Sequence, residues 1–128
     1  MSWSVLACVV EKDAWGPSKD DLTRVESSHP AIEAFAQAAD RIRQEAGRVD
    51  GSLAGGSLCL KAAGKSLCKA MGSDALWWSG DWWPAQIKEA ALKADWSFIV
   101  PDDEAADKAA AQAFLNLCAE HNLGMTFG

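Results

Sequence analysis

Ser57-Leu58-Cys59-Leu60-Lys61-Ala62-Ala63-Gly64 is followed at once by an echo, Ser66-Leu67-Cys68-Lys69-Ala70-Met71-Gly72. Two strands joined near Gly64 explain the echo as a hairpin. A single helix from Ser57 to Met71 also explains it. Leu60, Ala63, Leu67 and Met71 then share one face, and Lys61, Lys65 and Lys69 form a basic stripe. Periodicity alone does not choose between a short buried strand and a short helix. Glycines flank this segment and one interrupts it, which favours the hairpin.

Upstream, Asp50 to Gly56 reads as a flexible loop. Before it, Ile32, Phe35, Ala36, Ala39, Ile42 and Ala46 recur at helical spacing, with Glu33, Gln37, Asp40, Arg41 and Gln44 off the stripe. Pro30 suits the first turn of that helix and Gly47 suits the position past its end. Further back, Trp15-Gly16-Pro17 signals a turn. Ser18 to Asp21 resembles a capping box, so a short helix is expected over Lys19–Glu26. Trp3 to Val10 alternates and then becomes β-branched, as a central strand does.

Downstream lies Ala75-Leu76-Trp77-Trp78-Ser79-Gly80-Asp81-Trp82-Trp83-Pro84, with four of the seven tryptophans. Asp81 is an expected N-cap, with Trp82 and Trp83 in the first turn of a helix running to Ala94. On that helix Trp83, Ile87, Ala90, Ala91 and Ala94 share a face, so Trp83 reads as core and Trp82 falls toward the flank. Asp95 to Val100 reads as a strand stopped by Pro101. Asp102 caps a long helix to about Asn122, whose buried side is Ala106, Ala110, Ala113, Phe114 and Leu117. Met125 to Phe127 adds a short last strand.

These elements make residues 1–128 one α/β domain of the α+β sandwich kind. Its sheet has four or five strands with three or four helices packed on it. A ferredoxin-like βαββαβ core plus an extra C-terminal helix is the nearest simple arrangement.

Composition bounds the function. Hydrophobic content of 49% and charged content of 23% are those of a soluble globular chain. A net charge of −6 argues against nucleic acid and anionic membrane as main partners. The apolar run Val5–Val10 stops at Glu11, too short for a signal peptide or a span. A cytoplasmic chain with Cys8, Cys59, Cys68 and Cys118 as free thiols is therefore expected. Abundant Ala and Trp with no Tyr point to a GC-rich bacterial source.

Side chains of successive strand residues point to opposite faces, so Trp77 and Trp78 on a strand do not enter one core. Exposing an indole forfeits about 1.5–3 kcal/mol of burial. Surplus indoles are thus the best mark of a contact surface. Chemical candidates are weaker. Gly64-Lys65-Ser66 echoes a phosphate loop, but Cys59 stands where the motif needs glycine. Cys118 and His121 lie three apart on a helix, yet no Cys-x-x-Cys pair completes a zinc set with Cys59 and Cys68. Cys118 with His29 or His121 lacks any local signature of a nucleophile and base. Asp20-Asp21 and Asp102-Asp103-Glu104 sit at expected helix starts, where capping explains them.

No catalytic residue, metal or cofactor is assigned. The function expected is a small acidic cytoplasmic protein-binding module, of the inhibitor, immunity or antitoxin kind, neutralising a more basic protein partner. Trp77, Trp78, Asp81, Trp82, Asp102 and Asp103 form its contact surface. The alternatives are a small enzyme or small-molecule-binding protein using the Trp-rich segment, and a homodimer with a Trp-lined interface.

Overall fold

The structure, a computed structural model, describes residues 4–10, 22–46, 51–54, 56–61, 63–72 and 81–127. The sheet is laid on β1 (Val5–Val10). Along one edge β1 pairs with β6 (Gly124–Phe127) from Val5↔Phe127 to Cys8↔Gly124. Along the other it pairs first with β4 (Ser57–Leu60), at Val5↔Leu60 and Leu6↔Cys59, then with β2 (Leu22–Arg24), from Cys8 to Val10. Val25 closes the seam: its N–H donates to Ala7 O at 2.9 Å and its carbonyl accepts from Leu58 N–H at 3.3 Å. β3 (Gly51–Ala54) pairs with β4, and β5 (Asp81–Trp82) lies on the far side of β6. All pairs are antiparallel, in the order β3-β4-β1-β6-β5 with β2 beside β1.

Pleating sorts the side chains. Val5, Ala7, Leu58, Leu60, Met125 and Phe127 go to one face and are buried in the main core. Register sends Leu6, Cys8, Ser57, Cys59, Asp81 and Thr126 to the other.

The first face is covered by α1 (Pro30–Ala46), α2 (Gly64–Ala70), α3 (Pro84–Lys93) and α4 (Ala105–Glu120), the last preceded by a 3₁₀ turn at Asp102–Glu104. α4 packs against each of the other three helices. This central position explains why Ala106, Ala110, Ala111, Phe114, Leu115, Leu117 and Cys118 are all buried. Its alanines let neighbours approach closely. α1 starts where Pro30 places it, and His29 Nδ1 accepts the Ala31 N–H at 3.1 Å, capping the first turn. Ile32, Phe35 and Ala39 of its stripe are buried. Its Arg41–Glu45 and Arg43–Asp40 pairs are exposed and contribute little. No helix among the described residues is long and apolar enough to cross a membrane.

Several local expectations are corrected. The echoing segment is neither hairpin nor single helix: Ser57–Leu60 is a strand and Gly64–Ala70 a helix. β4 finds its hairpin partner upstream, in the residues expected as a loop, through a turn where Gly56 has φ +79°. Leu22–Arg24 is a strand rather than part of a helix, because the open edge of β1 takes up its backbone groups. The rest of Lys19–Glu26 lies in part outside the described residues.

Asp95–Val100 has strand-like alternation, with Trp96, Phe98 and Val100 more buried than their neighbours, yet it pairs with no strand among the described residues. It crosses the helical layer instead. Asp95 N–H donates to Ala70 O at 3.0 Å, Asp95 Oδ1 accepts from Ser97 N–H at 2.9 Å, and Lys108 Nζ donates to Phe98 O at 2.9 Å. Lys69 and Lys108 ammonium groups lie over the Phe98 ring at 5.2 and 4.8 Å. The last helix is no appendage either, since β6 follows it back into the sheet beside β1.

Candidate functional site

Pro84 organises the site. A residue before proline is pushed out of the helical region, so the chain is extended at Trp83 (φ −84°, ψ 157°) and α3 begins at Pro84. The N-cap is therefore Trp83, not Asp81, and Gln86 Oε1 accepts the Trp83 N–H at 2.9 Å. Asp81 and Trp82, freed from the helix, form the edge strand β5.

This shift changes which indole meets the core. Trp82 pairs with Met125 and so faces the helical side, its ring 6.5 Å from that of Phe127. Both indoles are half-buried, and it is Trp82 that packs against the core. Asp81 points through the opposite face. There Thr126 Oγ1 donates to Asp81 Oδ1 at 3.2 Å, and Cys8 Sγ donates to Thr126 Oγ1 at 3.5 Å. Trp82 and Asp81 are thus adjacent in sequence but separated by the sheet.

Trp82 walls an open groove of about 260 Å³, lined also by Met71 just past α2 and by Gln86, Glu89, Ala90 and Lys93 of α3. The α3 residues follow a spacing of three, one and three, one helical face over two turns. The groove has an apolar base of Trp82, Met71 and Ala90, and a polar rim. On the rim Lys93 Nζ donates to Glu89 Oε1 at 2.7 Å, which holds the Glu89 carboxyl below its usual range. A volume below the roughly 300–1,000 Å³ of small-molecule pockets suits one large side chain better than a cofactor.

The remaining sequence candidates scatter. Asp102 and Asp103 are exposed on the 3₁₀ turn ahead of α4. Trp77, Trp78, Asp20 and Asp21 lie outside the described residues. Cys118 is in the core, His121 caps the end of α4, and Cys59 faces the other side of the sheet. Among the described residues no group of three or more His, Cys, Asp or Glu side chains is placed to hold a metal ion. Gly64 opens α2 with its N–H already donated to Lys61 O at 2.9 Å.

All four cysteines are buried free thiols. Burial pushes the Cys68 thiol up to about 11 and raises those of Cys8 and Cys118, the latter also through the nearness of Cys8. A nucleophilic cysteine needs the opposite shift. The sign of the linkage is definite. Below pH 9 the thiol is protonated folded and unfolded. Between pH 9 and about 11 the unfolded Cys68 loses its proton while the folded one keeps it. Stability therefore falls across that window, by about 1.4 kcal/mol per pH unit for each thiol so held. Urea titrations from pH 8 to 11 should show this slope, and Cys68→Ala should lower it by the share of one thiol, Cys8 and Cys118 keeping theirs. An identical slope in the variant would refute the assignment.

Met71, Gln86, Glu89 and Lys93 were not legible as site residues. On α3 the polar ones look like any solvated face, and Met71 joins them only through tertiary packing. No protein-family model, curated protein or solved structure matches the chain.

Proposed function

We propose that the chain is a noncatalytic protein-binding module of the inhibitor or immunity kind, holding a more basic protein partner. The groove at Trp82 carries this reading. It combines an indole and a methionine, residue types enriched at interfaces, with a carboxylate on its rim that can meet a basic group. Asp102 and Asp103, exposed before α4, add negative charge that steers a basic partner, and Asp81 contributes to that field from the opposite face of the sheet. Trp77 and Trp78, which precede this edge strand in the sequence, are proposed members of the contact set. Four buried free thiols fit the cytoplasm, and strands β6-β1-β4-β3 with α1 and α4 between them fit a ferredoxin-like core, which itself implies no function.

Affinity capture from cytoplasmic extract, read by mass spectrometry, tests the proposal with two variants. Trp78→Ala/Trp82→Ala removes the anchors. Ala90→Arg blocks the groove, adds a repelling charge and leaves the core alone. One stoichiometric basic protein should be captured by the parent chain and lost with Ala90→Arg, whose melting temperature should be unchanged. Capture unaffected by Ala90→Arg, or no specific capture, would reject the groove as the docking surface.

A further inference from the structure

We infer that the Trp82 groove is a receptor for an arginine side chain, whose guanidinium lies on the Trp82 indole and pairs with Glu89. This deepens the proposed function and rests on it for the identity of the partner. Three observations lead to it.

The groove offers room for one large side chain, about 260 Å³, with an aromatic wall, a methionine and an alanine for an aliphatic stem. Among the described lining residues one is acidic, Glu89, which shares the groove with Trp82. The carboxylate is already answered by an ammonium at 2.7 Å, but both partners of that pair are about two-thirds exposed or more. Such a pair contributes little, so a better cation displaces it readily.

Arginine fits better than lysine for stated reasons. A guanidinium is planar and stacks on an indole face, and it meets a carboxylate with two parallel N–H donors. It is also more weakly hydrated, so seating it on Trp82 costs less desolvation. Lys93 reaches Glu89 from the same helix and supplies neither stacking nor a fork. It acts as an internal stand-in that occupies the carboxylate until the partner arrives. The chain's charge of −6 adds a long-range attraction for a basic segment.

The probe is the capped tripeptide acetyl-Gly-Arg-Gly-amide, titrated into the intact ¹⁵N-labelled chain. The Trp82 indole N–H and the Glu89 and Lys93 amides report the site. These signals should shift together and saturate. Citrulline in place of arginine keeps the shape and removes the charge, and should bind at least tenfold more weakly. Glu89→Gln should weaken binding about fivefold. Lys93→Ala, by removing the competitor, should tighten it about twofold. Both residues are exposed, so neither change threatens the fold. Equal shifts with arginine, citrulline and norleucine peptides would overturn the inference, as would insensitivity to Glu89→Gln.

The two proposals fail separately. A clean arginine titration with no captured protein keeps the receptor site and removes the inhibitor reading. A captured partner lost with Ala90→Arg, but no arginine response, keeps that reading and removes the guanidinium.

Discussion

Gly124→Ala is expected to cost about 3 kcal/mol and to detach β5, taking Trp82 out of its place. A Cβ at Gly124 would stand 2.5 Å from the Trp82 carbonyl oxygen, with Leu22 Cδ2 at 3.5 Å and Pro84 Cδ at 3.6 Å. The first contact decides the outcome. A side-chain tip swings aside, but a backbone carbonyl moves only with its strand. Overpacking costs about 1–3 kcal/mol, and a backbone clash belongs at the top of that range. β5 has little to resist with, being two residues long and tied to β6 through Asp81↔Thr126 and Trp82↔Met125. Once it shifts, Trp82 loses Phe127 and the groove loses its wall. Gly72→Ala is the control. Gly72 has φ +73° and nothing within 4 Å of its virtual Cβ, so alanine there adds only backbone strain, about 1–2 kcal/mol. Urea unfolding gives both costs, and the Trp82 indole resonance reports the site. Gly124→Ala should move that resonance and abolish partner capture, while Gly72→Ala should do neither. Equal costs and an unmoved indole in both variants would show that the close approach is unimportant.

What the sequence revealed depended on whether the deciding contact was local. α1 was legible because its caps and its 3.6-residue stripe lie within one stretch. Pro30 starts it, and Ile32, Phe35 and Ala39 are buried at the expected spacing. β1 was legible as a central strand because Val9 and Val10 follow an apolar alternation, and three strands do pair with it. The Ser57–Gly72 echo misled because all four residues of β4 are buried, both faces being covered, so no alternation marks it. Its partner β3 looks like a loop until β4 is placed beside it. Asp95–Val100 carries the alternation of a strand because it too has one covered side, but helices cover it rather than a sheet neighbour.

The site was half legible. Trp82 was in the proposed surface, and Pro84 held the information needed to place it. The restriction on the residue before proline puts the helix start at Pro84 and the extended residue at Trp83. Reading Asp81 as the cap instead assigned the core contact to Trp83 rather than Trp82. Met71 was out of reach of any local argument. It meets Trp82 and α3 only because α2 and α3 both lean on α4.

That shared support leads to the second large effect. Phe114→Ala should cost about 3–5 kcal/mol, the range for emptying an aromatic site in a core. Phe114 is fully buried on α4 and meets Phe35 of α1 edge-on, with centroids 5.7 Å apart and planes at 88°. That geometry adds about 0.5–1.5 kcal/mol beyond the area buried. The side chain joins α1 to α4, and α4 backs both helices that flank the groove. Collapse into the cavity therefore reaches Met71 and the α3 face through rigid elements, though neither touches Phe114 in sequence. A domain of this size has a total stability of about 5–15 kcal/mol, so the variant stands near its unfolding threshold. Phe114→Leu keeps most of the volume and should cost well under half as much. Ile99→Ala, at a side chain 93% exposed, should fall within about 0.5 kcal/mol of the parent. In urea, the three variants should differ in midpoint with a common slope, and arginine-peptide binding should weaken only in Phe114→Ala. A loss below 1 kcal/mol at Phe114 would mean that α4 is not the keystone of the helical layer, and the packing argument for the groove would fall with it.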